Sequence, residues 1–208
     1  MQREGLLLVV SGPSGVGKGT VIRELMRRRP QLRRSISCTT RAARKNETNG
    51  VEYFFVTVED FARMRDAGEL LEWATVHTDT SYGTPRKPVE DALAAGQDII
   101  LEIDYQGART VRCALGRKAV LVFIAPPAWD ELESRLVGRE TESPEAVRMR
   151  LNTARREIAH MDLFEYVIVN HKVKEATDEL EAILVAEGCR AARVDRDGLV
   201  RTLLESGS

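Results

Sequence analysis

Short apolar runs punctuate the chain at residues 6–10, 99–103, 119–125 and 166–169. Each is about as long as one strand, and none alternates cleanly between apolar and polar positions. Such runs predict strands buried on both faces, as in a parallel sheet. Amphipathic segments at residues 19–29, 106–115, 128–136 and 172–187 predict helices. A longer helix is expected over 144–161, with Ser143 as its N-cap and Pro144 at its first position, where a missing N–H removes no helix bond. Strands and helices in alternation predict an α/β fold with helices on both faces of the sheet.

Residues 35–96 break that rhythm. They offer short β-like pieces at 35–39, 53–56 and 70–76, one short helix at 58–66, and turn residues at Asn46, Asn49 and Gly50. This reads as a mixed α/β lobe inserted into the core. The expected division is a core of 1–34, 97–136 and 151–190, an insert of 35–96, a further segment of 137–150, and a charged tail of 191–208. Within the tail, Ser206, Gly207 and Ser208 are expected to be disordered. No internal repeat is visible.

Composition narrows the partners. The 208 residues suffice for one domain with a small lobe, and 43% hydrophobic with 30% charged residues is the balance of a globular protein. A net charge of −1 gives no reason to expect polymeric nucleic acid or an anionic membrane. No apolar run approaches the roughly 18 residues of a membrane helix. Cys38, Cys113 and Cys189 are far apart and lack metal-ligand spacing, so they read as free thiols of a reducing compartment. The three histidines are equally scattered. No signal-peptide pattern opens the chain, and a cytoplasmic location is expected.

The strongest chemical signal is Gly12-Pro13-Ser14-Gly15-Val16-Gly17-Lys18-Gly19-Thr20, between the first expected strand and an amphipathic helix. That context defines a phosphate-binding loop. Glycines let backbone N–H groups converge on phosphate oxygens, Lys18 brings a mobile positive charge to the β- and γ-phosphates, and the helix N-terminus adds its dipole. The residue after Lys18 is Gly19, where the usual pattern has the Ser or Thr that meets Mg²⁺. Thr20 follows one place later, so Mg²⁺ is expected to be held mainly through water and the nucleotide phosphates, with help from Thr20.

A phosphoryl transferase needs a second phosphate site opposite the first. Arg41 and Arg44, three apart beside hydroxyls, with Tyr53 further on, offer two guanidinium forks and a phenol for it. Glu72, beside Trp73 on a β-like segment, can accept hydrogen bonds from guanine N1–H and the exocyclic amine; adenine lacks the N1–H donor.

The ordered set of motifs resembles guanylate kinases. It comprises the glycine loop, Thr39-Thr40-Arg41, Arg44, Glu47, Asn49-Gly50, Tyr53, Leu71-Glu72-Trp73-Ala74, Tyr82-Gly83-Thr84, Ile103-Asp104 with Gln106-Gly107, Ala125-Pro126-Pro127, Arg135 with Gly138-Arg139, and Val167-Ile168-Val169-Asn170. The resemblance covers about residues 6–187. It implies a P-loop kinase with a five-stranded parallel sheet core flanked by helices, a GMP-binding lobe at 35–96, and a short helical lid at 137–150. It implies ATP contacts at the glycine loop and Asn170. GMP would be held by Arg41, Arg44, Tyr53 and Tyr82 on the phosphate, supported by Glu47, and by Ser37, Glu72, Thr84 and Asp104 on the base. The substrates would be ATP and GMP, with dGMP as a further acceptor, in a monomer or homo-oligomer. The family often has Asp where this chain has Glu102, which becomes a candidate metal contact beside Thr20. His171 likewise stands where Asp is common.

Arg135 and Arg139 lie one helical turn apart, and Arg150 follows. One reading is a solvated helix face paired to Glu131 and Glu133. The other is a lid whose arginines close over the transferring phosphate. The attacking phosphate oxygen is already anionic, so no general base is needed. Catalysis is expected to rest on alignment and charge neutralisation by Lys18, Arg41, Arg135, Arg139, Arg150 and Mg²⁺, with lid closure excluding water. Two other readings remain at this point: a related kinase acting on a phosphorylated sugar, which needs no base readers, and a phosphopeptide-binding module, which needs no working phosphate loop.

Overall fold

The structure, a computed structural model, describes residues 3–76, 80–137 and 144–205. The chain runs β1 (Leu7–Ser11), α1 (Lys18–Arg28), β2 (Arg33–Arg34), β3 (Cys38–Thr39), β4 (Phe54–Phe55), α2 (Val58–Asp66), β5 (Leu70–Val76), β6 (Thr80–Pro85), α3 (Arg86–Ala94), β7 (Ile99–Glu102), α4 (Tyr105–Leu115), β8 (Ala119–Ala125), α5 (Trp129–Val137), α6 (Pro144–Ala159), β9 (Tyr166–Val169), α7 (Val173–Gly188) and α8 (Arg196–Glu205). Single 3-10 turns lie at Gly116–Lys118, Met161–Leu163 and Ala191–Arg193.

Five strands form one sheet in the order β2-β7-β1-β8-β9, with every pairing parallel. Its two faces explain the uniform apolar runs. Leu6, Leu8 and Val10, with Val120, Val122 and Ile124, point to one face and meet Val21, Ile22 and Leu25 of α1, Leu132 of α5, Ala154 of α6 and Leu180 of α7. Leu7 and Val9, with Leu101, Leu121 and Phe123, point to the other and meet Val89 and Leu93 of α3 and Ala108 and Val111 of α4. Full burial of a side chain such as Phe123 contributes about 1.5–3 kcal/mol. The expectation of two-sided burial fails for β9. As an edge strand it leaves Val167 and Val169 46% and 41% exposed and buries Ile168 alone.

Several elements carried no readable pattern. β2 is two arginines, both exposed, held in the sheet by backbone pairing to Ile99 and Ile100. α3 packs on the core face through Val89 and Leu93 although its sequence lies within the expected insert. The tail is not merely a charged extension, because residues 196–205 form α8 and Arg3 bridges Val194. The expected cap Ser143 and the terminal Ser206, Gly207 and Ser208 lie outside the described residues.

A second sheet has the order β4-β3-β6-β5, with β3 parallel to β4 and antiparallel to β6, and β5 antiparallel to β6. Cys38, Phe61 and Leu70 form its small core. Thr57 caps α2 by accepting from Asp60 N–H, and Asn49 Oδ1 accepts from Phe55 N–H at 2.9 Å to shape the turn into β4.

In the large sheet the chain first passes from β1 to β2 and β7 on one side, then to β8 and β9 on the other. The reversal opens a crevice beyond the C-terminal ends of the central strands, the usual ligand position in such sheets.

Candidate active site

The glycine loop occupies that crevice, between β1 and α1. Gly17 caps α1 in the left-handed region at φ 98°. A Cβ there would lie 2.7 Å from Asn170 Nδ2, so both backbone conformation and space require glycine. Asn170, 3% exposed at the end of β9, donates from Nδ2 to the Val16 carbonyl at 2.7 Å. In this geometry it braces the loop against the sheet. Lys18 folds back over its own turn and donates from Nζ to the Gly12 carbonyl at 2.5 Å and the Pro13 carbonyl at 3.0 Å. Burial lowers its pKa, opposed by the charges of Glu157, Glu102 and Asp104.

Across the cleft, Arg41 is gripped by Glu47 in a two-point pair, Nη1 to Oε2 at 2.6 Å and Nη2 to Oε1 at 2.7 Å. Glu47 Oε2 also accepts from the Arg44 backbone N–H at 2.9 Å. These bonds hold the Glu47 pKa down to about 2 and keep Arg41 firmly protonated. Arg41 Nε donates to Tyr82 Oη at 3.2 Å, and its guanidinium lies 5.1 Å from the Tyr53 ring centre. The pairing fixes one guanidinium beside two phenols. Arg44 itself is exposed.

Glu72 sits at the floor of the adjoining pocket, 6% exposed, and accepts from Thr84 Oγ1 at 2.5 Å. Burial pushes its pKa up to about 7, with the Asp104 charge adding to the rise and the Thr84 hydrogen bonds holding it back. The first turn of α4 closes over this carboxylate. A Cβ on Gly107 would meet Glu72 Oε2 at 2.8 Å, which gives the Gln106-Gly107 motif its physical reason. Asp104 caps α4 through Oδ1, which accepts from Gly107 N–H at 2.8 Å.

A cleft of about 390 Å³ is lined by Gly12, Ser14 and Lys18 on one side and by Tyr53 and Asp104 on the other. It adjoins a pocket of about 190 Å³ lined by Ser37, Glu72, Ala74 and Tyr82, with Tyr53, Glu102, Ile103 and Asp104 common to both. The loop side and the side of Tyr53, Tyr82 and Glu72 therefore adjoin through these shared residues.

Of the three arginines expected to form a lid, Arg135 donates to Glu131 at 3.2 Å on the exposed face of α5, as the solvated reading expects. Arg150 lies on α6. Arg139, with Gly138 and the rest of 138–143, lies outside the described residues. Two cleft residues escaped the sequence reading. Arg34 Nη2 donates to Glu102 Oε2 at 3.0 Å, and nothing in the sequence marks it. Glu157, 8% exposed, lines the cleft beside Lys18. A signal for it existed: it follows Arg150 by two helical turns and adjoins Ala154 and Ile158, both core-facing.

A phosphate loop at a sheet's switch point, beside a pocket lined by Glu72, Tyr53 and Tyr82 of the adjoining lobe, defines a P-loop kinase that moves a phosphoryl group between two bound substrates. The chain belongs to the guanylate kinase family, whose sequence profile matches residues 4–187. It is 54% identical over 180 residues to a guanylate kinase of Thermobifida fusca, covering 86% of this chain and 91% of the relative. It is 49% identical over 205 residues to one from Symbiobacterium thermophilum, covering 99% and 96%. A crystal structure of guanylate kinase from Anaplasma phagocytophilum superposes with a TM-score of 0.79 at 37% identity, covering 96% of this chain and 95% of that one. The activity is ATP-dependent phosphorylation of GMP, giving ADP and GDP. Among the described residues no helix is long and apolar enough to cross a membrane.

Proposed function

We propose that the transfer occurs in the 390 Å³ cleft, with ATP on the glycine loop and GMP on the second sheet. The observation that carries this assignment is that Lys18 and Tyr53 line one cleft, while Tyr53 also lies against Arg41 and lines the adjoining pocket of Glu72 and Tyr82. On this reading residues 12–20 hold the ATP phosphates through backbone N–H groups and Asn170 borders the adenine. Lys18 leaves the Gly12 and Pro13 carbonyls for the β- and γ-phosphates. Arg41, Arg44, Tyr53 and Tyr82 hold the GMP phosphate, with Glu47 keeping Arg41 aimed. Glu72, aligned by Thr84, accepts from guanine N1–H and the exocyclic amine, while Ser37 and Asp104 complete the edge. Residues 35–96 form the acceptor lobe, and residues 137–150 form a lid that brings Arg135, Arg139 and Arg150 over the phosphoryl group and excludes water.

Mg²⁺ fits this donor set. Magnesium retains several waters and needs only one or two protein oxygens beside phosphate. Glu102 presents a carboxylate to the first turn of α1, 4.0 Å from where a Cβ on Gly19 would stand, and Thr20 adds a hydroxyl to that turn. Bound there, Mg²⁺ would neutralise charge on the phosphates during transfer. The absence of a side chain at Gly19 leaves room for its waters.

Because base and phosphate carry the recognition, dGMP is an acceptor too. The test is coupled ADP release with GMP, dGMP, IMP and AMP. GMP and dGMP should support turnover. IMP, which keeps N1–H but lacks the amine, should lose about 10²-fold in kcat/KM or more, and AMP about 10⁴-fold. AMP turning over within tenfold of GMP would remove Glu72 and Thr84 from base recognition.

A further inference from the structure

Glu157 is a buried carboxylate for which the reaction, as described so far, has no use. It is 8% exposed, and its Oε2 is buried without a hydrogen-bond partner among the described residues. Burying a carboxylate in that state is costly, and the local chain could have carried an apolar residue instead. Its surroundings show what it faces. It lines the cleft with Gly12, Ser14 and Lys18. Burial pushes its carboxyl pKa up to about 6, and the charge of Lys18 in the same cleft pulls it back.

The helix that carries it matters as much. α6 begins at Pro144 and holds Arg150 two turns before Glu157. At 3.6 residues per turn, Arg150, Ala154 and Glu157 fall on one stripe. Ala154 is fully buried in the core between them, so the helix lies close against the sheet at that point. Arg155 covers the Trp129 ring at 4.9 Å and ties α6 to α5. One helix thus carries both a cleft-lining carboxylate and Arg150.

We propose that Glu157 is a positioning residue for phosphoryl transfer, holding the Lys18 ammonium and the Ser14 turn of the phosphate loop in register with Arg150 on α6. Its carboxylate supplies negative charge to the cleft that Lys18 lines. Lys18 can then exchange Gly12 and Pro13 for phosphate oxygens without losing all of its counter-charge. The proposal rests on the assignment of Lys18 to the ATP phosphates.

The test is a double-mutant cycle of Glu157→Gln and Lys18→Ala, read by kcat, by KM for each substrate, and by thermal melting. Glutamine keeps the volume and an acceptor oxygen but removes the charge. Alone it should lower kcat by about 10- to 100-fold, because small misplacements at the reacting phosphate are costly. The KM for GMP should stay within about threefold and the melting temperature should not fall, since a buried charge has been removed. On the Lys18→Ala background the same change should alter kcat by less than about twofold, because the two act as a unit. A Glu157→Gln enzyme with wild-type kcat overturns the proposal. So does a loss that repeats in full without Lys18, or a lowered melting temperature with unchanged kcat per folded molecule. Near-wild-type turnover in Lys18→Ala alone would instead overturn the role of Lys18. Glu157→Met is held to the same criteria should the glutamine variant not fold.

Discussion

Replacing Glu72 by Gln should make the unliganded protein more stable and the enzyme far worse. The carboxylate is 6% exposed, and burial raises its pKa from 4.5 to about 7. A buried acid with a raised pKa holds its proton in the folded state after the unfolded chain has released it. Its contribution is therefore most favourable below about pH 4.5, is lost as pH rises towards 7, and stays lost above. The gap between those pKa values corresponds to about 3 kcal/mol at pH 8. Glutamine has the same size, accepts the Thr84 hydroxyl and carries no charge. Melting at pH 8 should rise by up to about 6–12 °C for a chain of this length, and the difference should shrink towards pH 5. Against guanine, the amide accepts one donor and turns its own N–H₂ towards the other. Losing a charged hydrogen bond and leaving a donor unpaired together cost about 3–5 kcal/mol. That predicts a fall of about 10²- to 10⁴-fold in kcat/KM for GMP. Melting curves from pH 5 to 8 and coupled ADP release at pH 8 read the two halves separately. A variant no more stable than the wild type at pH 8 would show that burial does not govern this carboxylate. A kcat/KM within tenfold of wild type would remove Glu72 from guanine recognition.

Glu47→Gln breaks the two-point grip on Arg41, so KM for GMP should rise about tenfold as the guanidinium loses its fixed orientation. Steady-state kinetics with varied GMP reads it, and an unchanged KM would show that Arg41 needs no support. Gly17→Ala places a Cβ 2.7 Å from Asn170 Nδ2 at a left-handed residue, so the protein should lose about 1–3 kcal/mol and bind ATP more weakly. Thermal melting and ADP titration check this, and a wild-type melting temperature would refute the bracing role of Asn170.

The parts of the site that were legible in the sequence share one property: each is a local pattern. The glycine loop spells its own backbone geometry between a strand and a helix. Arg41, Arg44 and Glu47 lie within one short turn, and the structure joins Arg41 to Glu47 directly. The reading of Asn170 as an adenine contact came from resemblance, whereas its hydrogen bond to Val16 required the sheet to bring β9 beside the loop. Glu157 was missed because one charged residue in a helix rich in arginine and glutamate looks solvated until the helix is docked. Arg34 was missed because a two-residue strand of arginines has no apolar signature.

By itself the sequence determined where the central strands and most of the helices around them lie, that those strands are buried on both faces, and that a phosphate loop precedes α1. Those features follow from side-chain periodicity and from glycine's backbone freedom, which act over a few residues. Only the tertiary structure decided that β9 is an edge and α3 a core helix. Only it set the first turn of α4 against Glu72, making Gly107 necessary, and brought Glu157 into the cleft of Lys18. Burial and electrostatics are sums over neighbours contributed by distant segments, so a carboxylate's proton affinity or a glycine's necessity exists only once those segments have met.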